Sequence, residues 1–177
     1  MQQKTCNLFL SKKNIKQSGT FSGYASVFNV IDRQKHVILP GAFSNTIKNF
    51  NKVKLLWQHN SAEPIGNITN MTENTIGLHI TANLLLDIQK GKEAYLMLKN
   101  DIINALSIGY SVIEDYMDVK TGVRVLKKIS LWEISLVTFP ANMHSKVTDV
   151  KSINADLATS FIRAKSALDK LSSMVNF

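Results

Sequence analysis

The stretch Leu131–Asn142, LWEISLVTFPAN, is a run of strand-forming residues interrupted by one carboxylate, Glu133. Between Ile129 and Phe139 no other side chain is ionisable. With the residues before it the stretch reads as one strand from Gly122 to Phe139, GVRVLKKISLWEISLVTF, long enough to bend or split. A carboxylate in such a strand either faces water or has a partner inside, because burying it unpaired is costly. The pattern of residues alone leaves both readings open.

Outward from this strand the chain continues to read as β. GTFSGYASVF (19–28) alternates small or polar with apolar residues, and VKLLWQH (53–59) is an apolar strand ending on a histidine. EPIGNI reads as a turn, IGLHITANLLL (76–86) as an alternating strand, and INALSIGYSVIEDY (103–116) as another. Two helices are inserted, over Ala42–Phe50 after the break at Pro40-Gly41, and over Gly91–Asn100. From Asn154 the pattern changes. Leu157, Phe161, Ala164, Leu168, Leu171 and Val175 recur at steps of four and three, which predicts an amphipathic helix. A polar linker, NMHSKVTDVKSIN, precedes it. Short strands without βαβ alternation favour a closed barrel or a sandwich over a parallel α/β sheet. The expected organisation is a mainly β body over residues 1–150 with surrounding helices, and a C-terminal helix over 151–177.

The chain has 177 residues, enough for one domain with a sizeable core. Its 45% hydrophobic and 19% charged residues are globular proportions. No apolar run approaches the roughly 20 residues of a membrane span, and MQQKTCNLFLSKK is too polar for a secretory signal. A lone Cys6 makes no internal disulfide, which suits a reducing compartment. The net charge of +8 raises the question of nucleic acid. Only three of the 21 basic residues are arginine, however, and no run of five or more cations exists. DNA binding as the primary role therefore rests on net charge alone.

Absences narrow the chemistry. Without H-E-x-x-H or C-x-x-C, and with four dispersed histidines, no zinc site is expected, nor any other metal. Without a P-loop or G-x-G-x-x-G no nucleotide cofactor is expected, and G-x-S-x-G is missing too. Three polar residues set in apolar strands remain: His59, Ser107 and Glu133. His59 has the residue type of a general base at neutral pH. Ser107 is followed by Ile108 and Gly109, where backbone N–H groups could stabilise an oxyanion. A buried Glu133 would orient a histidine and stabilise its imidazolium. Each of the three also has an ordinary structural reading when taken alone.

The segments GYASVFNVID, ILPGAF, VKLLWQHN, PIGNI, GLHI, ALSIGYSV and LWEISLVTFPAN occur in the order seen in the tailed-phage (caudovirus) prohead serine proteases. The resemblance runs from about Gly19 to Val147. It implies a fold similar to the herpesvirus assemblins, a closed antiparallel β-barrel with surrounding helices. It also implies Ser107 as nucleophile, His59 as base and Glu133 as the third member. The function implied is a serine endopeptidase that matures a procapsid in the host cytoplasm. Its substrates would be scaffold or the N-terminal arm of the major capsid protein, and eventually itself, with no cofactor, no membrane and room for self-association. A catalytically dead homologue acting in capsid assembly is the rival. Three departures stand out: Asn60 after the histidine, Ala105 before LSIGY, and a loop DRQKHV with no second acid after Asp32.

Overall fold

The computed structural model describes residues 19–150. Eight strands form one sheet: β1 (Thr20–Val27), β2 (His36–Ile38), β3 (Lys54–Trp57), β4 (Asn60–Glu73), β5 (Gly77–Leu84), β6 (Ala105–Asp118), β7 (Val123–Val137) and β8 (Val147–Val150). Two helices interrupt them, α1 (Ser44–Ile47) and α2 (Gln89–Lys99), with a 3₁₀ turn at Phe50–Lys52. The sheet order is β2-β7-β3-β4-β5-β1-β8, and β6 pairs with β7. The mainly β body with inserted helices is as the sequence predicts.

β7 is the axis of this sheet. Along one edge it pairs antiparallel with β6, from Asp118 opposite Val123 to Ala105 opposite Val137. Its other edge is shared by two parallel partners, β2 at Arg124–Leu126 and β3 at Glu133–Leu136. Between them, loop atoms take the free backbone groups. Leu39 N–H donates to Leu126 O (3.1 Å), Ile129 N–H donates to Ala42 O (3.1 Å), and Leu131 N–H donates to Thr46 Oγ1 (3.2 Å). Buried backbone groups need partners, and this edge shows how they are met where no strand lies alongside. Thr46, buried on the four-residue α1, is explained by that one bond.

The core follows strand alternation. In β5 Leu78, Ile80, Ala82 and Leu84 point inward, and in β7 Ile134 and Leu136 do so, all 0–2% exposed. Phe21, Phe43, Leu55, Ile65, Leu106 and Ile129 complete the interior. α2 adds Ala94, Tyr95 and Leu98 from one face. The period of two puts Glu133 and Ser135 on the opposite face of β7 from Ile134 and Leu136. That face carries the site.

Several expectations need correction. The sheet is not a closed antiparallel barrel. β2 and β3 run parallel to β7, and β6 is linked toward β8 only by an isolated bridge between Ala105 and Lys146. Closure needs a continuous ladder between the two end strands. Here the approach to β8 is a loop, where Ser145 N–H turns back onto Asn142 O, and β8 itself pairs with β1. The segment EPIGNI is not a turn but lies inside β4, with Pro64 opposite Leu56 between two register shifts where a missing N–H is tolerated. The helix expected over Ala42–Phe50 shrinks to α1 and the 3₁₀ turn. The middle of the presumed linker forms β8. The amphipathic helix read from Leu157 to Val175 lies outside the described residues.

Candidate active site

The loop between β3 and β4 is two residues long, Gln58 and His59, with Trp57 paired to Asn60. Both have positive φ, 51° and 61°, the backbone of a type I′ hairpin turn. Asn-Gly is the usual occupant of that turn, and two L side chains with Cβ atoms sit there at a cost. The surroundings hold it in place. Gln58 N–H donates to Leu136 O (3.0 Å), Gln58 Nε2 donates to Thr138 Oγ1 (2.8 Å), and Thr138 N–H returns a bond to Gln58 Oε1 (3.2 Å). His59 N–H donates to Ser135 Oγ (3.1 Å). The histidine is therefore displayed at a strained, well-braced turn, its side chain 44% exposed.

Glu133 answers the question raised by its sequence. Its side chain is 13% exposed, and Oε1 lies 2.6 Å from His59 Nδ1. Ser135 Oγ donates to the other oxygen, Oε2, also at 2.6 Å. With the carboxylate ionised, His59 makes this contact only with a proton on Nδ1, which leaves Nε2 facing away with its lone pair in the neutral ring. The hydrogen bond to Glu133 is the main cause of a His59 pKa raised above its ordinary 6.5; burial opposes the shift and the carboxylate's charge adds to it.

Gly109 makes this geometry possible. It lies across the ladder from Glu133, and a Cβ there would overlap Glu133 Oε1 and come within 2.9 Å of Cγ and 3.0 Å of Cδ. The glycine is thus the floor on which the carboxylate rests. Gly109→Ala is expected to swing Glu133 off His59 and return the imidazole's titration toward pH 6.5, measured by NMR. An unmoved titration would show that the carboxylate has room to spare.

Ser107 is 6% exposed and faces Ser135 directly across the β6–β7 ladder. Ser107 and His59 line one cleft of about 390 Å³, a volume in the usual range of ligand pockets. Among the described residues no hydrogen bond joins them. The two backbone donors singled out near the serine are not equivalent. Leu106 N–H leaves the ladder to reach Ser145 O, so strand alternation turns the N–H groups of Ser107 and Gly109 into the β7 ladder. By the same alternation the N–H of Ile108 points away from β7, and Ile108 lines the cleft. Gly109 also seats the Glu133 carboxylate.

Other polar groups fall into place around the cleft. Asp32 lines it, but its Oδ1 already accepts the N–H groups of Gln34 and His36, both at 2.8 Å. His36 Nδ1 meets the Tyr110 hydroxyl at 3.1 Å, and burial pushes the Tyr110 pKa up. Asn142 ties the far wall to β1 through Nδ2 to Val27 O (3.0 Å). His144 is exposed on the following loop and does not line the cleft. Sequence reasoning missed Ser135, although the spacing of two from Glu133 already placed both on one strand face. Among the described residues no three His, Cys, Asp or Glu side chains gather as metal ligands.

A histidine bonded to a carboxylate and sharing a cleft with a serine is the constellation of serine hydrolases. The model of the caudovirus prohead serine protease family matches residues 7–158, and the chain belongs to that family. Over 142 residues it is 35% identical to the prohead protease of Enterobacteria phage HK97, covering 78% of this chain and 63% of that protein. Over 111 residues it is 34% identical to the capsid polyprotein of Pseudomonas phage PAJU2, covering 59% of this chain and 16% of that one. The bacteriophage T4 capsid assembly protease superposes with a TM-score of 0.48 at 11% identity, covering 72% of this chain and 80% of that one. The chain thus spans less than two thirds of the HK97 relative's length.

Proposed function

We propose that this chain is a serine endopeptidase that matures a procapsid, with Ser107 as nucleophile, His59 as general base and Glu133 as the residue that orients the base. The observation that carries this reading is the 2.6 Å His59–Glu133 contact beside a cleft that also holds Ser107. Ser107 Oγ attacks the scissile carbonyl as His59 Nε2 takes its proton. The imidazolium, stabilised by Glu133, then gives that proton to the leaving amine, and water repeats the sequence to free the acid. The N–H of Ile108 is the donor best aimed to meet the oxyanion. The Ser107–His59 bond is expected to tighten around substrate.

The substrate proposed is the major capsid protein's N-terminal arm, or scaffold, inside the assembling procapsid in the host cytoplasm. Family membership and the capsid polyprotein relative support it. A fluorophosphonate probe tests the chemistry: we expect one adduct, mapped by peptide mass to Ser107, and no labelling of folded protein would overturn the reading. The division at residue 150 is part of the proposal, with the predicted helix of 157–175 serving to dock on the capsid or scaffold. A chain ending at Val150 should keep labelling at Ser107 and lose incorporation into procapsids; an insoluble product would place the segment in the fold itself.

A further inference from the structure

We propose that Ser135 is a positioning residue of this site, its single hydroxyl fixing the carboxylate of Glu133 and the backbone of His59 relative to each other. The inference rests on the reading of Ser107, His59 and Glu133 given above. Its basis is one atom with two bonds: Ser135 Oγ donates to Glu133 Oε2 (2.6 Å) and accepts from His59 N–H (3.1 Å).

A glutamate side chain has three rotatable torsions, the last of them broad, so one hydrogen bond to one oxygen does not fix a carboxylate plane. Glu133 Oε1 serves His59 Nδ1, and Ser135 holds Oε2, which leaves the plane no freedom to turn away. The same hydroxyl receives the N–H of a residue at φ 61°, where the hairpin turn offers no ladder partner. The histidine comes from the β3–β4 turn and the glutamate from β7, and Ser135 is the short bridge between them. A hydroxyl has one donor and two acceptor sites, so both bonds are made together.

Burial alone does not explain this. Ser135 is 0% exposed, but so is Ser145, and Ser26 is 1% exposed; both of those hydroxyls lack a hydrogen-bond partner. Buried serines in this molecule are tolerated without bonds, whereas Ser135 is engaged twice, and by the two residues whose relative position matters most. Its Cα neighbour across the ladder is Ser107. A shift of Glu133 or of the His59 turn would therefore be transmitted directly to the base's distance from the nucleophile. Misplacement by about 1 Å is enough to cost about 100-fold in rate.

The test uses the full chain as wild type, Ser135→Ala, Glu133→Gln and the double variant. Two quantities are read: the His59 titration by NMR, and the fluorophosphonate labelling rate of Ser107 against pH. For Ser135→Ala we expect about a 10- to 100-fold slower labelling, the range of one lost bond to a charged group. The His59 pKa should fall toward 6.5, carrying the rising limb of the labelling profile to lower pH. In the Glu133→Gln background the same change should add less than about 3-fold, because residues acting through one another are not additive. A folded Ser135→Ala protein with an unmoved His59 titration, or losses that multiply in the double variant, would overturn the proposal. Should Ser135→Ala fail to fold, Ser135→Thr keeps the hydroxyl and must keep the raised His59 pKa; a fallen value there also overturns it. If wild-type Ser107 does not label at all, the protease reading fails, while the NMR titrations still decide the role of Ser135.

Discussion

Ser107→Ala should stop processing of a co-expressed capsid precursor while the protein remains folded. The serine's hydroxyl has no structural partner among the described residues, and Ala suits a buried strand position opposite Ser135. The stability change should therefore stay within about 1 kcal/mol, since no bond and no packed methyl is lost. Rate should fall by about 10⁴- to 10⁶-fold, the range for removing a nucleophile from a cooperating set. His59→Ala should lose a similar factor, and the double variant should be little worse than either single one. Precursor cleavage on a gel, with thermal melting as the control for folding, measures both sides of the claim. Cleavage that persists in a folded Ser107→Ala protein would remove Ser107 from the mechanism.

The second large effect belongs to Glu133→Gln. The amide is nearly the carboxylate's shape, so the cleft survives, but its oxygen and nitrogen no longer both accept. His59 can then bind through the wrong tautomer, a defect worth about 10⁴-fold where a triad carboxylate is amidated. The sign of the pH effect follows from the raised His59 pKa, caused first by the hydrogen bond to Glu133. A base works deprotonated, so wild-type activity should rise through a pKa above 6.5, and the variant's rising limb should lie lower. Stability runs the other way. A histidine whose folded pKa is raised stabilises the fold below 6.5, and that contribution disappears as pH climbs through the folded value. Wild type should thus gain on Glu133→Gln in melting temperature on acidification. A limb that does not move, with kcat unchanged, would leave Glu133 with no part in the chemistry.

How much of this was readable beforehand depends on the range of the forces involved. The alternation of Leu78, Ile80, Ala82 and Leu84 marks β5 from the sequence, and the buried positions Ala94 and Leu98 mark one face of α2. Both signals are local and periodic. His59, Ser107 and Glu133 likewise stood out as polar residues in apolar strands, and the resemblance implied their roles. Other features resisted. EPIGNI carries turn residues, yet pairing with β3 and β5 holds it in β4, and the actual turn falls on Gln58-His59, which lacks the Asn-Gly pair usual in such a turn. β2, three residues long, exists only because β7 presents an edge to it.

Sequence by itself determined a mainly β body with two inserted helices, a core of alternating apolar residues, and three polar residues set in or beside apolar strands. Tertiary structure alone decided that the sheet stays open, that Glu133 faces His59 instead of water, that Gly109 is its seat, and that Ser135 joins the pair. The reason is that a strand's pattern records which face is buried, whereas edge pairing, register and the direction of a carboxylate are settled by neighbours distant in the chain: His59 and Glu133 lie 74 residues apart and meet at 2.6 Å.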